Sequence, residues 1–240
     1  VDETVFRAGS ISKSFTAIGA MTLVEEGRLS LDDEVATFLP DLAIQNRWRE
    51  SDPVRLVHLL EHTAGLNDIG FRHYLIEGRD VPLSEAVNLY GPYKSRWRPG
   101  TRTSYSNAGP IIAGRVIETV SGERFQDFMT RRLTTPLGMT SASWTLTPKI
   151  AGRLSRSYRA SDLTEERFMD IPGRPSGSLN LTASDLSRLP LLMLGRGTLD
   201  GVTYFTPATA ERIETPVGND AARASLRYGY ALGNVADTRG

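Results

Sequence analysis

The chain is predicted to be an α/β (α+β) protein that is mostly helical, with few strands. Three observations point there: an uncharged run from Ser14 to Val24, amphipathic stretches that stop at glycines, and strand character near the end. In the first stretch Ile11, Phe15, Ile18, Met21, Leu23 and Val24 surround the helical cylinder. A helix apolar on nearly every side is buried, and this one stops where Glu25 and Glu26 meet Gly27, a natural C-cap. "LSLDDEVATFLP" reads as a short capped helix ending at Pro40. "DPVRLVHLLEHTAGL" reads as an amphipathic helix with Leu56, Leu59 and Leu60 opposite Arg55, His58 and His62, closed by Gly65. "WRPGTRTSYSN" is a turn-rich loop into the helix "AGPIIAGRVIETVSG", capped by Gly122, and "ERFQDFMTRRL" is a further helix. Residues 151–178 read as a long polar surface excursion. "TASDLSRLPLLML" restarts a helix behind Thr182 and Asp185, with Pro190 placed to kink it, and "LRYGYALGNV" has strand character.

Composition narrows the function classes. A chain of 240 residues can bury a substantial core, as one domain or two interlocked ones. Its 28 basic and 28 acidic residues leave net charge zero, hence no general electrostatic pull toward nucleic acid or anionic membrane. Absence of cysteine excludes disulfides and thiolate metal sites. No uninterrupted apolar run is long enough to span a bilayer, and "VDETVFRAGS" lacks the basic-then-apolar opening of a signal peptide.

The chain has only three lysines against twenty-five arginines, and one of them, Lys13, falls three residues after Ser10. Ser10 reads in two ways. Serine after glycine is a common helix N-cap. Alternatively, positions i and i+3 share a helix face, so the ammonium reaches the hydroxyl, and burial would lower the lysine pKa until it serves as a base. The helix start adds free N–H groups and a positive dipole end for any developing negative charge. Tyr105 and Asn107 in "TSYSNAGP" also read in two ways: as residues leading into a helix whose first turn holds Pro110, or as a proton relay and an amide that holds substrate and lysine together. A competing site is "HLLEH", where His58, Glu61 and His62 match the H-x-x-E-H spelling of inverted zinc peptidases; zinc would need a further protein ligand and an open position. His73 has no nameable partner.

The segments "FRAGSISKSFTA", "VHLLEHTAGL", "RPGTRTSYSNAGPIIAGRVIE", "SGERFQDFMTRRLTTPLGM" and "PSGSLNLTASDLSRL", in this order, resemble the serine β-lactamase and penicillin-binding-protein superfamily. The resemblance is to its class C β-lactamase-like branch of DD-peptidases and esterases. It implies a β-lactamase/transpeptidase-like fold, with a mixed sheet-plus-helix part carrying Ser10 and a largely helical subdomain over 31–144. It also implies a serine acyl hydrolase working through an acyl-enzyme on an amide, ester or β-lactam carbonyl. Ser10 would be the acylated nucleophile, Lys13 its activating base, Tyr105 the relay to the leaving group and Asn107 the holder of the substrate amide. The implied partner is a small molecule or peptide (a β-lactam, D-alanyl peptide or ester) with no nucleic acid, no cofactor and no metal. Two alternatives stand beside it: a non-catalytic binding or sensing member of the same fold, and a zinc peptidase at His58, Glu61 and His62.

The superfamily's third motif, a lysine- or histidine-x-glycine turn, is not found: neither Lys94 nor Lys149 begins one. The resemblance therefore implies that residues 1–240 are an incomplete piece of a larger hydrolase domain. Its location would be periplasmic or cell-envelope if the full-length protein carries an export signal. Losing one oxyanion donor costs on the order of a hundredfold to a thousandfold, so the chain alone is expected to turn over poorly. Missing strands are further expected to leave apolar helix faces uncovered.

Overall fold

A computed structural model describes residues 3–236 apart from 71, 73, 78, 79 and 227, so His73 lies outside the described residues. Helix outweighs strand, at about 39% against 12%. The chain opens with β1 (Phe6–Arg7) and a 3₁₀ turn, Gly9–Ile11, that runs into α1 (Ser12–Glu25). Then come α2 (Val35–Phe38), β2 (Ile44–Gln45), α3 (Leu56–Leu60), α4 (Leu83–Leu89), β3 (Tyr93–Lys94), α5 (Ala108–Ser121) and α6 (Phe125–Met129), which continues as a π turn through Thr134. The remainder holds α7 (Pro148–Ala151), the hairpin β4 (Ser157–Tyr158) and β5 (Glu165–Glu166), α8 (Arg174–Gly177), β6 (Asn180–Leu181) and α9 (Ala183–Leu194). Last are the hairpin β7 (Thr198–Leu199) and β8 (Val202–Thr203), α10 (Pro207–Glu214), α11 (Asp220–Arg223), and the hairpin β9 (Gly229–Tyr230) and β10 (Val235–Ala236). Each strand pair among the described residues is two-stranded. β1 joins β6 antiparallel, tying the segment before Ser10 to a segment some 170 residues later, and β2 joins β3 in parallel.

Two helices make the centre. Every residue of α1 from Ser12 to Leu23 is buried, as its all-round apolar character predicts. Its neighbour α5 has Ile111, Ile112, Val116 and Ile117 wholly out of water, and each such side chain is worth about 1.5–3 kcal/mol of burial. The two helices pack on each other, and α3, α4 and α8 close around α5. Close approach is bought with small residues. A Cβ on Gly109 would stand 2.5 Å from the Leu59 carbonyl oxygen of α3, and one on Gly114 would stand 2.2 Å from Cγ of Pro175 in α8.

Three expectations need correction. The helix through "DPVRLVHLLEHTAGL" covers only Leu56–Leu60, because His62 turns into the left-handed region at φ 56°. Residues 151–178 are not one surface excursion: the hairpin of β4 and β5 is exposed, but 171–182 are buried throughout. The prolines and glycines there do not mark a solvent loop; they let α8 nestle between α1 and α5. Helix α6 passes into a π turn rather than ending before Thr134. The faces of α1 are covered, whereas Leu191 and Leu194 of α9 are exposed. No helix among the described residues is long and apolar enough to cross a membrane.

Candidate active site

Neither Ser10 nor Asn107 caps a helix. The 3₁₀ turn and α1 carry no side-chain cap, and the residue before α5 makes none either; the hydroxyl of Ser106 accepts the Ala108 N–H instead. This removes the simple structural explanation for both residues and leaves their side chains for other work.

That work is a single cluster. Lys13, in the first turn of α1, is 2% exposed, and its three ammonium hydrogens have three acceptors. These are Ser10 Oγ at 3.0 Å, Asn107 Oδ1 at 2.9 Å and the Ser176 carbonyl oxygen at 2.6 Å. On the outer side, Ser10 Oγ shares a 2.7 Å hydrogen bond with the Tyr105 hydroxyl. Ser10 itself is exposed, so a substrate carbonyl can reach it while the amine behind it stays dry. The structure thus brings together all four residues singled out from the sequence, from two segments, the turn into α1 and the loop into α5, with a carbonyl of α8 as a further partner.

Two residues that sequence reasoning missed complete the cluster. Asp68 accepts the backbone N–H of Asn107 at 2.7 Å and its side-chain Nδ2–H at 3.2 Å. With Nδ2 held there, Oδ1 must face Lys13. The second missed group is the Ser176 carbonyl, on a segment read as surface; a backbone acceptor leaves no sequence signal. Asp68 carried a weak one, a lone acid three residues after Gly65.

The electrostatics follow from burial. Desolvation pushes Lys13 down to about 8, with the Asp68 carboxylate pulling the other way. Burial raises Tyr105, and its hydrogen bond to Ser10 lowers it in part. The Lys13 ammonium also lies 4.9 Å from the centre of the Tyr105 ring.

The zinc reading is overturned by where its three side chains point. His58 Nδ1 accepts the Arg55 N–H at the start of α3, and burial holds its pKa down to about 4. Glu61 is fully buried against Arg212 at 2.6 Å and accepts the Gly218 N–H at 2.6 Å. His62 Nδ1 accepts the Ser106 N–H, its ring stacks on Tyr105 at 4.6 Å, and burial pushes it down to about 3. Among the described residues no three histidine or acidic side chains are grouped to hold a metal. His62 is instead a neutral plate against which the Tyr105 ring rests, with Tyr230 edge-on at 4.7 Å.

This geometry, a buried lysine behind an exposed serine with tyrosine and asparagine facing them, agrees with a match of residues 2–240 to the family described as Beta-lactamase. The chain belongs to that family. Penicillin-binding protein 4 of Amycolatopsis lactamdurans is 31% identical over 216 residues, covering 87% of this chain and 56% of its own. A penicillin-binding protein of Bacillus subtilis (strain 168) is 31% identical over 259 residues, covering 96% of this chain and 53% of its own. The chain therefore spans little more than half the length of these relatives. Among solved structures, EstCE1, "a hydrolase with promiscuous acyltransferase activity", superposes with a TM-score of 0.78 at 22% identity, over 100% of this chain and 71% of its own. That likeness fixes the fold, that of the β-lactamase/transpeptidase group, as expected from the sequence.

Proposed function

We propose that the protein is a serine acyl hydrolase acting on an ester, amide or β-lactam carbonyl through an acyl-enzyme on Ser10. The observation that carries this reading is the partner set of Lys13. Two of its three partners, the Ser176 carbonyl and Asn107 Oδ1, can only accept. A neutral amine has two donors and one lone pair. With both donors spent on those oxygens, the lone pair is left facing Ser10 Oγ, where a base is needed.

In this reading Lys13 takes the Ser10 proton as Oγ attacks the carbonyl carbon. The carbonyl oxygen gains its negative charge beside the N-terminal end of α1. Tyr105, bonded to Ser10 Oγ, hands a proton to the departing alcohol or amine, and water then cleaves the ester of Ser10. Asn107 keeps one Nδ2–H free of Asp68 for the substrate's amide. Residues 31–144 are read as the helical subdomain of the hydrolase domain. The names of the two penicillin-binding relatives favour a β-lactam as ligand, and the description of EstCE1 as a hydrolase with acyltransferase activity favours an acyl-enzyme route.

The experiment is covalent trapping. A fluorophosphonate and a fluorescent penicillin are each incubated with the protein, and the labelled peptide is identified by mass spectrometry. Label on Ser10 that is lost in Ser10→Ala and slowed in Lys13→Ala is expected. Folded protein that takes up neither reagent would favour the binding or sensing alternative.

A further inference from the structure

The parallel pairing of β2 with β3 sets Ile44 beside Tyr93 and Gln45 beside Lys94. Each strand then leaves the ladder into the same tripeptide, Arg-Trp-Arg, at 47–49 and at 96–98. The result is a concentration of positive charge on a chain whose net charge is zero. A cavity of about 620 Å³ is lined by Arg47, Lys94 and Arg96. A second, of about 440 Å³, shares Arg47 and Arg96 with it and adds Arg98 and Arg102. One carboxylate, Asp220, reaches this lining, and it is held by Arg223 at 2.7 Å. Arg98 is paired with Asp52; Arg47, Lys94, Arg96 and Arg102 have no carboxylate partner among the described residues.

We propose that this trough binds a linear, non-nucleotide polyanion, a chain of regularly spaced phosphates or carboxylates. Three features of the lining select that partner. All five cations are exposed, so none forms the dry pocket that would hold a single small anion, and affinity has to come from several solvated contacts at once. No large exposed apolar side chain lies in 41–52 or 93–102, which leaves nothing to insert into a lipid surface. The aromatic faces that single-stranded nucleic acid would stack on are already engaged: the Arg47 guanidinium covers Trp48 at 4.2 Å, and the Trp97 ring lies against Gly65. The loop walling the trough runs on through Arg102 to Tyr105, so a bound polymer is held on the segment that supplies the site.

The test is binding of fluorescently labelled long-chain inorganic polyphosphate and of poly-L-glutamate to the whole protein, by anisotropy, over a series of salt concentrations. Saturable binding is expected, with an affinity that falls steeply as salt rises. The Arg47→Gln/Arg96→Gln double variant should weaken it about tenfold or more and reduce the log–log salt slope by about one per arginine. Arg102→Gln alone should do so to a smaller degree. Arg159→Gln, an exposed arginine elsewhere, should bind as the parent does, and so should Ser10→Ala, which separates this proposal from the reading of the catalytic cluster. Equal binding of both polymers assigns oxyanions in general and preference for polyphosphate assigns phosphates; either upholds the trough. Binding of neither polymer, unchanged binding by the folded double variant, or binding of oligothymidylate at least about tenfold tighter than polyphosphate would overturn it.

Discussion

In the proposed mechanism Lys13 acts as the base because of what its neighbours cannot do. Ser176 O and Asn107 Oδ1 have no hydrogens to give, so every proton state of the amine is forced to address Ser10. With its pKa lowered to about 8 by burial, the rate of Ser10 acylation should climb about tenfold per pH unit below that value and level above it. Stopped-flow acylation between neutral and mildly alkaline pH checks this; a flat profile would remove Lys13 as the base. Asp68 raises that pKa through its charge and pins the Asn107 amide. Asp68→Asn should therefore shift the pH limb toward acid and slow acylation, two effects a merely structural residue would not combine. Tyr105→Phe keeps the stacking on His62 but deletes the hydroxyl, and a loss of about 10²-fold or more in ester acylation, with little change in Tm, is expected.

Helix α5 is where the elements lock. Gly109 and Gly114 sit on it at contacts where no Cβ fits. Gly109→Ala would press on the rigid Leu59 backbone and should cost about 1–3 kcal/mol, read as a lower denaturation midpoint. Gly19→Ala in α1 meets the flexible end of Met129 at 2.5 Å and should cost less. Gly114→Ala pushes on Pro175, the residue before Ser176, so it should reduce acylation as well as stability; a stability loss with full acylation would show that α8 does not hold Lys13. The central helices were legible in the sequence, because an uncharged run and a Gly122 stop act locally. The buried course of 171–182 was not, since prolines and glycines serve a solvent turn and a tight interhelical crossing equally well.

At the scale of the molecule, two buried histidines make folding sensitive to acid. His58 and His62 stay neutral in the folded chain to about 4 and about 3, whereas both protonate near 6.5 once unfolded. Between pH 6.5 and 4 the unfolded state binds more protons, so each histidine should subtract on the order of 1.4 kcal/mol of stability per pH unit lost. Urea titrations across that range should show the slope, and His58→Gln should flatten it. The zero net charge describes the same molecule only on average, because pairing of β2 with β3 gathers arginines that lie some fifty residues apart in sequence.

The sequence by itself determined the two central helices, the candidate quartet Ser10, Lys13, Tyr105 and Asn107, and the family those segments resemble, since helix periodicity and short spacings are properties of neighbours along the chain. It left open whether Ser10 and Asn107 merely cap helices and whether His58, Glu61 and His62 hold zinc. Only the tertiary structure decided those points, by bringing Asp68 and Ser176 O to the amide and the amine from distant segments, and by sending the three "HLLEH" side chains to separate partners. A side chain's chemistry is set by which acceptors and charges surround it in space, and that is fixed when the helices pack.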